Sequence, residues 1–105
     1  MKYEVWLSEE AVNDIEKLKR AQERKLRWWR DRLVDDPTVG DPIRKSLIPA
    51  VLQKRYRATN LFRLELPEGW RILYTIVSCP GFDAEIHILR VLPHKEYEKL
   101  LGYRG

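Results

Sequence analysis

Two stretches decide how this chain is read: Leu61–Tyr74, LFRLELPEGWRILY, and Ile86–Tyr103, IHILRVLPHKEYEKLLGY. In the first, Phe62, Leu64 and Leu66 alternate with Arg63 and Glu65, the two-residue period of a half-buried strand. Pro67-Glu68-Gly69 then supplies a preset φ and a residue at ease with positive φ, so the chain reverses. Trp70, Ile72, Tyr74 and Ile76 return on one face, with Arg71, Leu73 and Thr75 on the other. In the second stretch, Ile86–Leu92 is apolar and β-branched and reads as the central strand. Pro93 suits the first position of a helix over His94–Leu101, and Gly102 suits its stop. Together the two stretches bring guanidinium, imidazole, ammonium and phenol groups to one edge of a small sheet. A protein uses those groups to hold a phosphodiester and move protons around it.

Working outward, Tyr3, Val5 and Leu7 alternate with Lys2 and Glu4 as a further strand. Ser8 offers an N-cap oxygen, and Glu9 and Glu10 place anions in the first turn of a helix. Ala11, Ile15 and Leu18 give that helix one apolar stripe and predict it over Glu9 to about Lys19. Leu26, Trp29 and Leu33 predict a second helix, which ends near Asp35-Asp36-Pro37 because the residue before proline avoids helical geometry. A hairpin of two helices is more compact than one long rod and lets the stripes pack. Trp28 lies off the stripe, as a shield for helix–sheet packing or as an exposed anchor for a partner. Pro37–Pro49 reads as a linker, with Ile43 and Leu47 as candidates to touch the core. The segment 50–60 carries Lys54, Arg55 and Arg57 but no clear period. The order is β, α, α, β, β, β, α: an α+β domain with helices on one face of a curved, largely antiparallel sheet.

At 105 residues the chain is a single domain over 1–105, long enough to bury roughly 65% of its unfolded surface without a disulfide or metal staple. Charged residues make up 34% and there are four tryptophans, which argues for a folded chain. One cysteine, Cys79, and no CxxC or CxxH pattern argue against a zinc site and for a reducing, cytoplasmic setting. No signal-like or membrane-length apolar run is present, so no membrane partner is expected. Net charge is only +4, but Lys19–Arg32 holds seven basic residues against two acidic ones. That is a footprint for nucleic acid or an acidic protein, or else a solvated helix face.

Strand, helical hairpin, basic linker, three-strand meander and short tail resemble the RelE/ParE toxin superfamily of type II toxin–antitoxin systems. YEVWLSEEAVNDIEKL resembles the family's opening, EGWRILYTI its Gly-aromatic-Arg-x-x-Tyr signature, and ILRVLPHKEYEKL its last strand and basic tail. The resemblance implies a RelE-like endoribonuclease that cleaves mRNA on the ribosome and inhibits translation, neutralised by a cognate antitoxin. On that resemblance Arg71 matches the arginine that contacts the scissile phosphate, and Lys95 stands where a second arginine follows the last strand. Arg63 stands on the strand where the RelE-like enzymes carry lysines. The C-terminal catalytic tyrosine of those enzymes has Tyr97 before it and Tyr103 after it as candidates.

Metal-independent RNA cleavage needs a base for the 2′-hydroxyl, cations for the phosphorane and an acid for the leaving oxygen. Arg71 is the best cation by geometry, or else the cross-hairpin partner of Glu65. Lys95 is a second cation, a base, or an exposed helix lysine. His94 is an acid or base or packs on the sheet, whereas His87 is mid-strand and structural. Tyr97 and Tyr103 donate protons, stack on bases or fill core. Arg63, Arg90, Lys54, Arg55 and Arg57 are candidate RNA-binding cations, with Arg90 on the last strand alternatively pairing a sheet carboxylate. Arg27, Trp28 and Arg30 are candidates for an acidic antitoxin. No cofactor and no metal are expected, since no carboxylate–histidine cluster has ligand spacing. Two other readings stand beside the enzyme: a ParE-like gyrase inhibitor, and a basic RNA- or antitoxin-binding module without chemistry.

Overall fold

The computed structural model describes residues 3–79 and 84–102. Strand β1 (Glu4–Leu7) leads into helix α1 (Glu9–Ile15), capped by the Ser8 hydroxyl, which accepts from the Ala11 amide at 3.0 Å. The chain then turns at residues 16–19 into α2 (Arg20–Asp35), so the helical hairpin forms with a shorter first arm than the sequence predicts. Lys19 is extended, and its amide donates to the Gln22 side chain at 2.9 Å, which starts α2 afresh. β2 (Asp41–Pro42) is a two-residue bridge in the segment read as linker. It is followed by a 3₁₀ turn over Lys45–Leu47 and then by α3 (Ala50–Tyr56), a helix the sequence left unassigned. β3 (Phe62–Glu65), the tight turn Pro67–Gly69, β4 (Arg71–Val77), β5 (Glu85–Leu92) and α4 (His94–Leu101) complete the fold as expected.

The sheet order is β1-β5-β4-β3-β2, with β1 parallel to β5 and every other pair antiparallel. The middle strand is therefore β4, not Ile86–Leu92; β5 lies between β4 and β1 because the N-terminal strand takes its outer side.

Helices cover both faces of the sheet rather than one. On the first face Leu26 and Leu33 of α2 and Ala11 of α1 pack against Leu64, Ile72, Tyr74, Ile86, Ile88 and Val91. On the second, Leu52 of α3 and Tyr97 and Leu101 of α4 pack against Leu73, Leu89 and Leu92. The register shift between Leu73 and Tyr74 leaves Leu89 as an extra residue on β5 and resets the alternation, so that Val91 returns to the first face and Leu92 to the second. The face change follows from the two-residue period: Ile72 and Leu73 are both fully buried, on opposite sides.

One glycine position is fixed by space. A Cβ at Gly40 would lie 2.7 Å from the Tyr74 hydroxyl, which accepts the Gly40 amide at 2.9 Å and donates to the Pro37 carbonyl at 2.7 Å. This pins the segment before β2 beneath the sheet and aligns Asp41 with Arg63 across the bridge.

Candidate functional site

Arg63 of β3 and Arg71 of β4 emerge on the second face, where Tyr97 of α4 enters. Tyr97 is 2% exposed, and its ring is the floor of the site. The Arg63 and Arg71 guanidinium carbons lie 6.0 and 5.7 Å from its centroid. Arg63 Nη1 donates to the Tyr97 hydroxyl at 3.2 Å, and its Nη2 lies 3.5 Å from Asp41. The tyrosine hydrogen bond, opposed by burial, pushes the Arg63 guanidinium above its ordinary value, so it stays charged. Arg71 Nη1 donates to the Gly69 carbonyl at 2.8 Å, and its Nη2 lies 3.8 Å from Glu65. The Nε atoms of both arginines are buried and make no hydrogen bond.

The turn supports this geometry. Glu68 and Gly69 both take positive φ, at 63° and 79°, which swings the Gly69 carbonyl back under Arg71. A Cβ on Gly69 would stand 3.4 Å from that of His94, so the imidazole lies beside the same turn. His94 is exposed, with Nε2 2.5 Å from Glu98 one helical turn on. Lys95 is exposed in the first turn of α4. The sheet edge, turn and α4 thus join Arg63, Arg71, Tyr97 and His94, with Lys95 on the adjoining helix surface. Tyr103 lies outside the described residues.

The remaining basic candidates lie elsewhere. Arg90 Nε and Nη2 donate to both Asp14 oxygens at 2.8 and 3.0 Å, so a helix carboxylate, not a sheet one, holds it. That hydrogen bonding raises the Arg90 guanidinium above its ordinary value. Arg55 is bound to Glu10 at 2.9 Å, and Glu10 also accepts from the Tyr56 hydroxyl. Lys54 and Arg57 are exposed on and just after α3. On α2, Arg27 and Arg30 are exposed and Trp28 is 41% exposed. Lys25 Nζ lies 3.9 Å and the Arg32 guanidinium 4.5 Å from the Trp28 ring. Trp29, by contrast, turns in and donates to the Glu65 carbonyl at 2.8 Å.

Sequence reasoning missed Asp41, because its place opposite Arg63 depends on the Gly40–Tyr74 contact and not on any local pattern. It also missed Asp14, a buried carboxylate on a helix whose stripe was read from apolar residues alone. Among the described residues no group of three or more histidine, cysteine or acidic side chains is placed to hold a metal ion.

No family model matches the sequence, and no curated protein matches it. Solved structures do. One is the crystal structure of the archaeal RelE–RelB complex from Pyrococcus horikoshii OT3, at 22% identity and a TM-score of 0.64, covering 90% of this chain and 97% of that one. Another is a mutant of the E. coli toxin RelE in complex with a peptide of its antitoxin, at 14% identity and the same TM-score of 0.64, covering 94% of each chain. With most of each chain covered, the fold of this chain is the RelE fold.

Proposed function

We propose that this protein is the toxin of a type II toxin–antitoxin system, a RelE-like endoribonuclease that cleaves mRNA on the ribosome. The carrying observation is the convergence of Arg63 and Arg71 on the buried Tyr97 ring beside His94. Two guanidiniums in fixed orientation suit the charge that builds on a phosphorane, and the adjoining imidazole suits proton transfer. One similar structure is a RelE–RelB complex and the other is the toxin RelE with an antitoxin peptide, which supports an antitoxin partner. An acidic antitoxin segment would meet the basic outer face of α2 around Arg27, Trp28 and Arg30. No described helix is long and apolar enough to cross a membrane.

Inducing the gene alone and mapping mRNA 5′ ends tests the reading. Growth arrest with new ends that require ribosomes is expected, as is their loss in a folded Arg71→Ala protein. Cleavage undiminished by that substitution would remove the site assignment. A second reading, a ParE-like gyrase inhibitor, is favoured by one observation: β3 presents Glu65 and Arg63 at the site, with no lysine. A supercoiling assay separates the two, since inhibition of gyrase without mRNA cleavage supports only the second.

A further inference from the structure

The two arginines of the site are each divided in the same way. Nη1 is anchored inward, to the Tyr97 hydroxyl for Arg63 and to the Gly69 carbonyl for Arg71. Nη2 faces outward and meets a carboxylate, Asp41 at 3.5 Å and Glu65 at 3.8 Å. Those separations exceed the roughly 2.7–2.9 Å of a charge-assisted hydrogen bond. The partners are also unequal in exposure. The arginine side chains are 29% and 16% exposed, whereas Asp41 and Glu65 are 71% and 64% exposed. The cations are built in, and the anions rest on them loosely from solvent. Two guanidiniums within 6.0 Å of one ring centroid repel each other and favour a single anion that contacts both.

We propose that Asp41 and Glu65 are resident counter-anions of a two-arginine phosphate site, and that a phosphodiester binds by displacing them from the Nη2 atoms. Both carboxylates thereby set the site's affinity: they lower it for isolated RNA and reserve it for a phosphate presented in the right place. This deepens the ribonuclease reading and rests on it for the identity of the ligand.

The test is binding of a short fluorescent single-stranded RNA to the purified protein, without ribosomes, so that it stands apart from the growth and cleavage assays. Asp41→Asn and Glu65→Gln are each expected to tighten binding about three- to five-fold at low salt, the range an exposed ion pair supports. The gain shrinks as salt is raised. Asp31→Asn, which removes an exposed charge on α2, controls for net charge and is expected to change affinity less than two-fold, within the scatter of distant surface charges. In an Arg71→Ala background the Glu65→Gln gain is expected to vanish. Equal gains from Asp31→Asn, a Glu65→Gln gain that survives without Arg71, or no gain at all would each overturn the proposal.

Discussion

Asp14 and Arg90 form a two-point ion pair, Nε and Nη2 donating at 2.8 and 3.0 Å, and one oxygen of the same carboxylate accepts the Val91 amide at 2.9 Å. β1 pairs with β5 only as far as Leu7–Ile88, so beyond that point β5 needs another partner for its edge. Asp14 is that partner and carries α1 with it. Its side chain is 7% exposed and Arg90's is 31%. Asp14→Ala leaves both the Val91 amide and a half-buried guanidinium unmatched, and is expected to cost about 2–3 kcal/mol. Arg90→Ala leaves the amide bond in place and is expected to cost less. Urea unfolding of the two variants checks the order; an equal or smaller loss for Asp14→Ala would show that the edge contact contributes little.

The Tyr74 hydroxyl bridges the Gly40 amide and the Pro37 carbonyl, and is expected to make stability fall in alkali. Burial pushes this hydroxyl up to about 12, with the nearby Asp36 and Asp41 charges adding to it. A raised folded-state value means that the neutral form is the one folding favours. Its contribution is complete below about pH 10, the unfolded value, and is lost as pH rises toward 12. Tyr56, raised by burial and then by Glu10, contributes to the same slope. Tyr74→Phe is expected to cost about 1–2 kcal/mol at neutral pH and to flatten part of the alkaline decline. Unfolding free energies measured between pH 8 and 12 test it, and an unchanged slope in Tyr74→Phe argues against the assignment.

The hairpin, the last strand and α4 were legible because each carries its own local signal: two-residue alternation, Pro67-Glu68-Gly69, and Pro93 with Gly102. The helical hairpin was legible for the same reason, although α1 stops at Ile15. α3 was not, because only Leu52 of its seven residues is buried, and one buried residue sets no period. Nor was the second covered face, since Leu73, Leu89 and Leu92 look like ordinary strand residues until α3 and α4 are laid over them. Arg71 stood out from its place on the returning strand, its planar fork and the resemblance. Asp41, the companion of Arg63, did not, because a bridge of two residues leaves no pattern. The alternative reading of Arg71, a pair with Glu65, and the site reading both describe its surroundings, since the loosely held Glu65 lies at the site itself.

Tyr97 is expected to act as support for the arginines and not as a proton donor. At 2% exposure its hydroxyl is occupied by Arg63 and its ring by both guanidiniums. Tyr97→Phe keeps the ring and is expected to lower ribosome-dependent cleavage by less than about tenfold, whereas loss of a proton-transfer group costs roughly 10²–10⁴-fold. Tyr97→Ala removes a buried ring and is expected to cost about 3–5 kcal/mol of stability. A hundredfold loss in a stably folded Tyr97→Phe would restore the tyrosine to a chemical role.

Trp28 is expected to matter for association and not for folding. Trp29, its neighbour, is tied to β3 through the Glu65 carbonyl, while Trp28 stands out on the helix between Lys25 and Arg32. Two cations close to one exposed indole carry the aromatic and basic character by which an acidic partner is held. Trp28→Ala is expected to change stability by about 1 kcal/mol or less, since its contacts to Lys25 and Arg32 lie at an exposed site. If an acidic antitoxin binds here, the same substitution weakens the complex by about 2 kcal/mol, roughly thirtyfold. Calorimetric titration of the adjacent reading frame's product into wild type and Trp28→Ala reads this directly. Unchanged affinity would move the antitoxin off this face of α2, and a large loss of stability would make Trp28 a packing residue after all.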